Sequence, residues 1–233
     1  MTYEVELKFK VADRVLLENF LKDGLKQSEK VRAVDVYFDK KDTAFFLRGI
    51  FIRVRDEKLL EFKFNPEDFK HEFAIEKSFE LPLRENKVGS FNQLLSLLGM
   101  KQLSPGQSSL ESFLKLNDLH EFVRIEKTRT VFIKGPFTFC LDEVRNLGQF
   151  VEIECRANEE AKVPELVSSI KELAKKLKLK PINVGYVELY LRKYNYELYK
   201  QGLYILDTDK PKLARKHNKS KRKSEQQNGL ELN

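Results

Sequence analysis

Long apolar runs are missing from this chain. None approaches the roughly 20 residues that a membrane-crossing helix needs, so no span is expected. The N-terminus leads straight into a charged stretch rather than a basic and then apolar leader, so no secretory signal is read and a cytoplasmic location is expected. Cysteine is scarce. Cys140 and Cys155 fall in expected strands at opposite parity relative to their neighbours, so a disulfide is not expected and a reducing compartment fits. His71, His120 and His217 are scattered and share no spacing with the cysteines, which argues against a zinc site. A one-signed charge excess is also absent from most of the chain. The net charge is +7, but eight basic and four acidic residues lie from Asp207 onward, leaving 35 basic and 32 acidic residues in the body. A nucleic-acid-binding domain usually presents a single-signed patch. Here such contact is expected only through the basic C-terminal stretch around Lys216, Lys219, Lys221, Arg222 and Lys223.

What is present is alternation. Tyr3-Glu4-Val5-Glu6-Leu7-Lys8-Phe9-Lys10 places charges on one face of a strand and Val5, Leu7 and Phe9 on the other. The pattern recurs at Ile50–Arg55, Leu59–Phe64, Glu72–Leu81, Glu121–Ile133, Phe137–Val144 and Phe150–Arg156, and Val34–Asp39 reads as a further strand. Helices are expected after Asp13 up to Gly24, after Gly89-Ser90 up to Gly99, over Pro164–Leu177 and over Tyr186–Tyr199. About eight strands with short links favour antiparallel pairing, and a sheet of that size curls or closes. The fold class is therefore α+β. A body over residues 1–204 is followed by a basic tail over 205–233, expected to be disordered. With 41% hydrophobic and 11% aromatic residues in 233, a real core can form.

The charged parity of the strands collects Glu4, Glu6, Glu61, Glu76, Glu80, Asp142, Glu152 and Glu154 with Lys8, Arg53, Arg55, Lys63, Lys127 and Arg129. Enclosing that many unpaired charges costs several kcal/mol each. A polyphosphate with its cations resolves the conflict. Arginine and lysine hold phosphate oxygens, and carboxylates hold hard cations such as Mg²⁺ or Mn²⁺.

These residues carry a resemblance. Glu4-Val5-Glu6-Leu7-Lys8 resembles the ExExK signature of the CYTH superfamily, the triphosphate tunnel metalloenzymes. Tyr37-Phe38-Asp39, Arg53-x-Arg55, Lys63, Lys127-x-Arg129, Asp142 and Leu147-Gly148-x-Phe150-Val151-Glu152-Ile153-Glu154 follow in the family's order. The stretch covered runs over about residues 2–192. Gly185-Tyr186-Val187-Glu188-Leu189 is similar to the family's C-terminal segment, where a Ser-Tyr pair is more usual.

The resemblance implies a closed eight-stranded antiparallel β-tunnel with helices packed outside, and Mg²⁺ or Mn²⁺ as the working metal. It implies Glu4, Glu6, Asp142, Glu152 and Glu154 as metal ligands or water-positioning acids, with Glu4, Glu6 and Lys8 as catalytic candidates. Lys8, Arg53, Arg55, Lys63, Lys127 and Arg129 would grip phosphates, and Lys193 is counted with them as lying near the tunnel mouth. The implied partner is a small molecule bearing a triphosphate, bound by a monomer or homodimer. Relatives include class IV adenylyl cyclases and thiamine or inorganic triphosphatases. Hydrolysis is favoured because it requires the tunnel alone, and no adenine or thiazolium pocket is evident. Cyclisation of ATP to cyclic AMP and pyrophosphate is the alternative, and binding of polyphosphate without turnover is the third reading.

Overall fold

The computed structural model describes residues 3–26, 30–65 and 75–210, and the side chains at positions 3, 4, 26, 157 and 160 fall outside that description. The opening alternation forms β1 (Tyr3–Lys10). Asp13 then accepts a hydrogen bond from the Leu16 amide at 3.0 Å and opens α1 (Arg14–Leu21), as an acidic N-cap should. β2 (Leu25–Lys26) and β3 (Val31–Asp39) follow. Asp39 is buried and accepts from the Phe45 and Phe46 amides at 3.1 and 2.7 Å, which fixes α2 (Ala44–Leu47). β4 (Phe51–Arg55), β5 (Leu59–Phe64) and β6 (Ile75–Glu80) form a meander. α3 (Glu85–Leu97) and α4 (Leu110–Leu116) precede β7 (His120–Lys134), β8 (Phe137–Val144) and β9 (Gly148–Ala157). The chain continues through α5 (Val163–Lys176), β10 (Lys180–Ile182), α6 (Tyr186–Tyr194) and α7 (Tyr196–Gln201).

The local differences from the sequence reading have local causes. α4 is opened by Ser109, whose hydroxyl accepts from the Ser112 amide at 3.0 Å, at the end of residues 104–109, whose Ser, Pro and Gly read as a turn-rich loop. α3 starts ahead of Gly89-Ser90, so that pair lies within the helix. The last helix breaks at Asn195, whose backbone leaves the helical region at φ −148° and ψ 74° and whose side chain caps α7. Of the expected strand over 72–81, the positions before Ile75, Glu72 and Ala74 among them, lie outside the described residues, as does His71.

Ten strands form one sheet in the order β10-β1-β9-β8-β7-β3-β4-β5-β6, with β2 alongside β7, and every pairing is antiparallel. The expected eight antiparallel strands are present within a larger sheet whose closure is not seen among the described residues. There are two additional short strands, and β10 and β6 do not pair with each other among the described residues. Right-handed twist accumulates over so many strands and curls the sheet. The curl is deep enough that Lys8 of β1 and Glu76 of β6 line one cavity.

Register decides what lies on the concave face. Lys8 stands opposite Glu152, Arg129 opposite Asp142, Asp35 opposite Arg55, Arg53 opposite Glu61, and Lys63 opposite Glu76. The convex face is apolar. Ile52, Val54, Leu60 and Phe62 pack under Phe91, Leu94 and Leu95 of α3 and Phe113 of α4. Val5, Phe9, Phe139, Val151 and Ile153 pack under Leu17 and Leu21 of α1 and Ile170 and Ala174 of α5.

α6 departs from the expectation that helices cover only the outside. Val123, Ile125, Tyr37, Phe51, Val144 and Phe150 share the concave parity but lie beyond the charges, and they seat Tyr186, Val187 and Leu191. An apolar seat at one end of a charged trough draws a helix inward. Residues 205–210, read from sequence as tail, pack against this end. Leu206 is buried, the Tyr199 hydroxyl accepts from its amide at 2.8 Å, and the same hydroxyl donates to Asp209 at 2.9 Å. Arg192 forks onto Asp209 at 2.5 and 3.0 Å. Residues 211–233, including the basic cluster, lie outside the description.

The chain leaving α7 approaches the core closely at Gly202, where an added Cβ would lie 2.5 Å from Cζ and 2.9 Å from Cε1 of the buried Phe46 ring. Gly202→Ala is expected to cost about 1–3 kcal/mol through overpacking. The measurement is the urea midpoint at constant m-value, and an unshifted midpoint would contradict the close approach.

Candidate functional site

The concave face encloses a cavity of about 160 Å³ lined from β1, β3, β4, β5, β6, β7, β9 and the first turn of α6. Strand alternation delivers one side chain in two from each strand to it. It opens into a cleft of about 740 Å³, with Glu6, Lys8, Lys63 and Glu76 at the junction.

One wall carries the arginine pair. Arg55 forks onto Asp35, Nε to Oδ1 at 2.7 Å and NH2 to Oδ2 at 3.0 Å. Arg53 donates through Nε to Glu61 Oε2 at 2.7 Å and through NH1 to the Tyr37 hydroxyl at 3.4 Å. Lys63 pairs with Glu76 at 3.0 Å. Asp35 is 1% exposed and anchors both guanidinium groups, with Arg53 3.6 Å away. Burial alone would raise its carboxyl, but the Arg55 hydrogen bonds and the charges of Arg53 and Arg55 outweigh burial and hold it below the usual range.

The opposite wall carries a second network. Lys8 pairs with Glu152 at 2.9 Å. Arg129 donates to Asp142 at 2.6 and 2.7 Å and reaches Glu152 with the same NH2 group. Lys127 donates to Asp142 at 3.1 Å, and the Tyr186 hydroxyl donates to it at 2.8 Å. Burial works against the Glu152 carboxylate, yet Lys8, Arg129 and Lys127 drive its carboxyl well below the usual range. Burial and then the Arg129 charge push the Lys127 ammonium down.

Two acids also face each other. Glu6 stands directly opposite Glu154 in the β1–β9 register, a like-charge cross-strand pair, and Glu152 is beside them. One carboxylate oxygen from each of Glu6, Glu152 and Glu154 lies within 4.8 Å of the others. Glu6 keeps surface open to the cavity, but the surrounding protein and then the Glu152 charge raise its carboxyl to about 7. Glu154 accepts from the Cys140 thiol at 3.2 Å, and burial raises that thiol well above its ordinary range. Both cysteines are free and buried, Cys140 beside the acids and Cys155 in the core under α5.

The sequence-derived candidates are thus distributed unevenly. Glu6, Lys8, Arg53, Arg55, Lys63, Lys127, Arg129 and Glu152 line the cavity. The side chain of Glu4 lies outside the described residues. Asp142 stands apart from the acidic cluster, because its two oxygens accept from Arg129, Lys127 and Tyr186. Lys193 is not in the cavity lining. It is exposed on α6 and donates to the Asn146 carbonyl at 2.5 Å. Asp35, Tyr186 and Glu188 were not singled out as site residues. The parity of Asp35 with Tyr37 in β3 would have found it, since both fall on the face that pairs with Arg53 and Arg55. Glu188 is 1% exposed in the first turn of α6, and burial lifts its carboxyl to about 7 against the pull of its own and the Gly185 backbone amides and of Lys8 and Lys63.

A group held below its unfolded pKa stabilises above that pKa and loses the contribution as pH falls. Asp35 titrates near 4 when unfolded. Asp35→Asn is therefore expected to cost about 2–3 kcal/mol near neutral pH and to flatten the fall in Tm between about pH 5 and 3. An acid limb as steep as that of the unsubstituted chain would refute the anchoring.

The profile described as CYTH domain matches residues 2–185. A candidate adenylate cyclase of Methanocaldococcus jannaschii is 24% identical over 190 residues, covering 80% of this chain and 97% of that protein. Among solved structures, a Pyrococcus horikoshii protein superposes with a TM-score of 0.55 at 25% identity, covering 82% of this chain and 99% of its own. A Hippeastrum candidate adenylyl cyclase, described as having a dominant triphosphatase activity, superposes with a TM-score of 0.50 at 16% identity over 89% of this chain and 99% of its own. With most of its length matched and the charged concave face in place, the chain belongs to the CYTH domain family.

Proposed function

We propose that the protein is a divalent-cation-dependent hydrolase of a triphosphate-bearing small molecule. The observation that carries the reading is the contrast within one cavity. Glu61, Glu76 and Glu152 line it opposite Arg53, Lys63 and Lys8, while Glu6, which lines it too, stands opposite Glu154 on β9. The donor set fits Mg²⁺ or Mn²⁺, because three carboxylate oxygens close together are hard ligands whose mutual repulsion a double positive charge relieves. When bound, such a cation supplies Lewis-acid charge to phosphate oxygens.

The chain's own groups do the rest. Arg53 and Arg55 present forked donors to two phosphate oxygens, and Lys8, Lys63, Lys127 and Arg129 supply charge to the remaining ones. In hydrolysis a water oxygen bonds to the terminal phosphorus, the bridging P–O bond breaks, and the electron pair leaves with the diphosphate. The negative charge spreading over those oxygens is met by cations already held in place by Asp35, Glu61, Glu152 and Asp142, so little reorganisation is needed. The cavity's 160 Å³ falls below the 300–1,000 Å³ usual for sites that enclose a drug-sized ligand. It suits a phosphate chain, with any organic group lying in the adjoining cleft. The name of the Methanocaldococcus jannaschii relative supports a second reading, adenylate cyclisation, in which the ribose 3′-hydroxyl attacks the α-phosphorus and pyrophosphate leaves.

Incubation with tripolyphosphate, thiamine triphosphate or ATP in Mg²⁺ or Mn²⁺ separates the readings. Orthophosphate release supports hydrolysis, cyclic AMP with pyrophosphate supports cyclisation, and binding without product overturns both. Glu6→Gln is expected to lower kcat at least a hundredfold while Tm is unchanged or higher, since it removes a like-charge contact. Full activity in that variant would remove Glu6 from the site. Arg55→Ala is expected to raise KM about tenfold or more with a smaller change in kcat, and unaltered kinetics would exclude it from phosphate binding.

A further inference from the structure

α6 enters the concave face with Tyr186 as its first residue, 6% exposed. Lys8 Nζ lies 4.3 Å from the centre of the Tyr186 ring, and Lys127 Nζ lies 5.3 Å from it. The hydroxyl donates to Asp142 Oδ2 at 2.8 Å, the oxygen that Lys127 also engages. Phe150 packs edge-on against the ring at 5.2 Å, which limits its freedom to turn.

We propose that Tyr186 is a positioning residue that holds Lys8 and Lys127 at a fixed separation, so that the two ammonium groups grip one phosphate chain as a pair. The proposal rests on reading the cavity as a triphosphate site. Lys8 belongs to β1 and Lys127 to β7, with β9 and β8 between them. At about 4.8 Å per strand step the two backbones lie roughly 14 Å apart along the sheet. Long flexible side chains bearing like charges repel one another, so their convergence needs common attractors, and the Glu152 carboxylate is one of them. The negative face of an aromatic ring is such an attractor, within about 6 Å of its centre. The ring works alongside the carboxylates: Glu152 holds Lys8 and Asp142 holds Lys127, and the hydroxyl of the same tyrosine fixes Asp142. Burial and Arg129 disfavour the charged form of Lys127, and Asp142, Glu152 and Asp35 oppose that tendency.

The test separates ring from hydroxyl. Tripolyphosphate binding is measured by calorimetry on the full chain with EDTA present, so that nothing turns over. Tyr186→Leu, which keeps apolar volume but no ring, is expected to weaken binding about tenfold. Tyr186→Phe, which keeps the ring, is expected to stay within about threefold of the unsubstituted chain. In turnover the Leu variant is expected to raise KM more than it lowers kcat. Unaltered binding in Tyr186→Leu, or an equal loss in Tyr186→Phe, overturns the proposal. A second readout does not depend on the variants folding. The ε-methylene protons of Lys8 and Lys127 should be shifted upfield by the ring in the unsubstituted chain, and ordinary lysine shifts would overturn the proposal. Failure of the unsubstituted chain to bind tripolyphosphate at all would instead count against the triphosphate reading, leaving the lysine shifts to report on Tyr186 alone.

Discussion

The structure depends on opposite charges meeting across neighbouring strands on a face turned away from bulk water. Each ionic side chain on the concave side would be costly if enclosed alone. The register sets Lys8 on Glu152, Arg129 on Asp142, Arg55 on Asp35 and Arg53 on Glu61, so that cost is largely cancelled within the fold. Guanidinium groups held this way retain donors on their outer edges. A phosphate chain entering the cavity would meet cations already ordered by carboxylates, with their desolvation met at folding rather than at binding. Glu6 and Glu154 break the alternation of sign across β1 and β9.

α6 gives the trough an end. The apolar residues at concave parity, Val123, Ile125, Phe51 and Phe150, continue the same strands that carry the charges, so one strand supplies polar lining along part of its length and a helix seat along the rest. α7 and the strap through Asp209 hold the helix in that seat. The position of Tyr186 in the cavity is therefore set by the apolar seat of α6 together with its own hydrogen bond to Asp142.

Much of this was legible in the residues because strand alternation has a period of two and the ionic side chains fall on it consistently. β1, β4, β5, β8 and β9 lie within a residue or two of where the alternation placed them. β2 and β10 were not legible, since two or three residues carry no period. α4 hid behind serines that read equally well as turn. Asp142 shows what parity leaves open: alternation puts it on the concave face, but its partners Arg129, Lys127 and Tyr186 are set by neighbouring elements. Lys193 was placed by its position near the end of the chain, and helix geometry carries it outward to Asn146. In the sequence Tyr186, Tyr190 and Tyr194 recur every four residues, the spacing of a helix face that packs. Tyr186 does pack, but at the N-terminus of α6 the same ring also meets the lysines.

The terminal strands of the sheet, β6 and β10, share no backbone ladder among the described residues, yet side chains from both flanks of that gap meet in one space. A guest that engages Lys63 on one flank and Lys8 on the other would bridge the discontinuity as a staple does. Occupancy would then tie together two flanks that the backbone ladder leaves separate among the described residues.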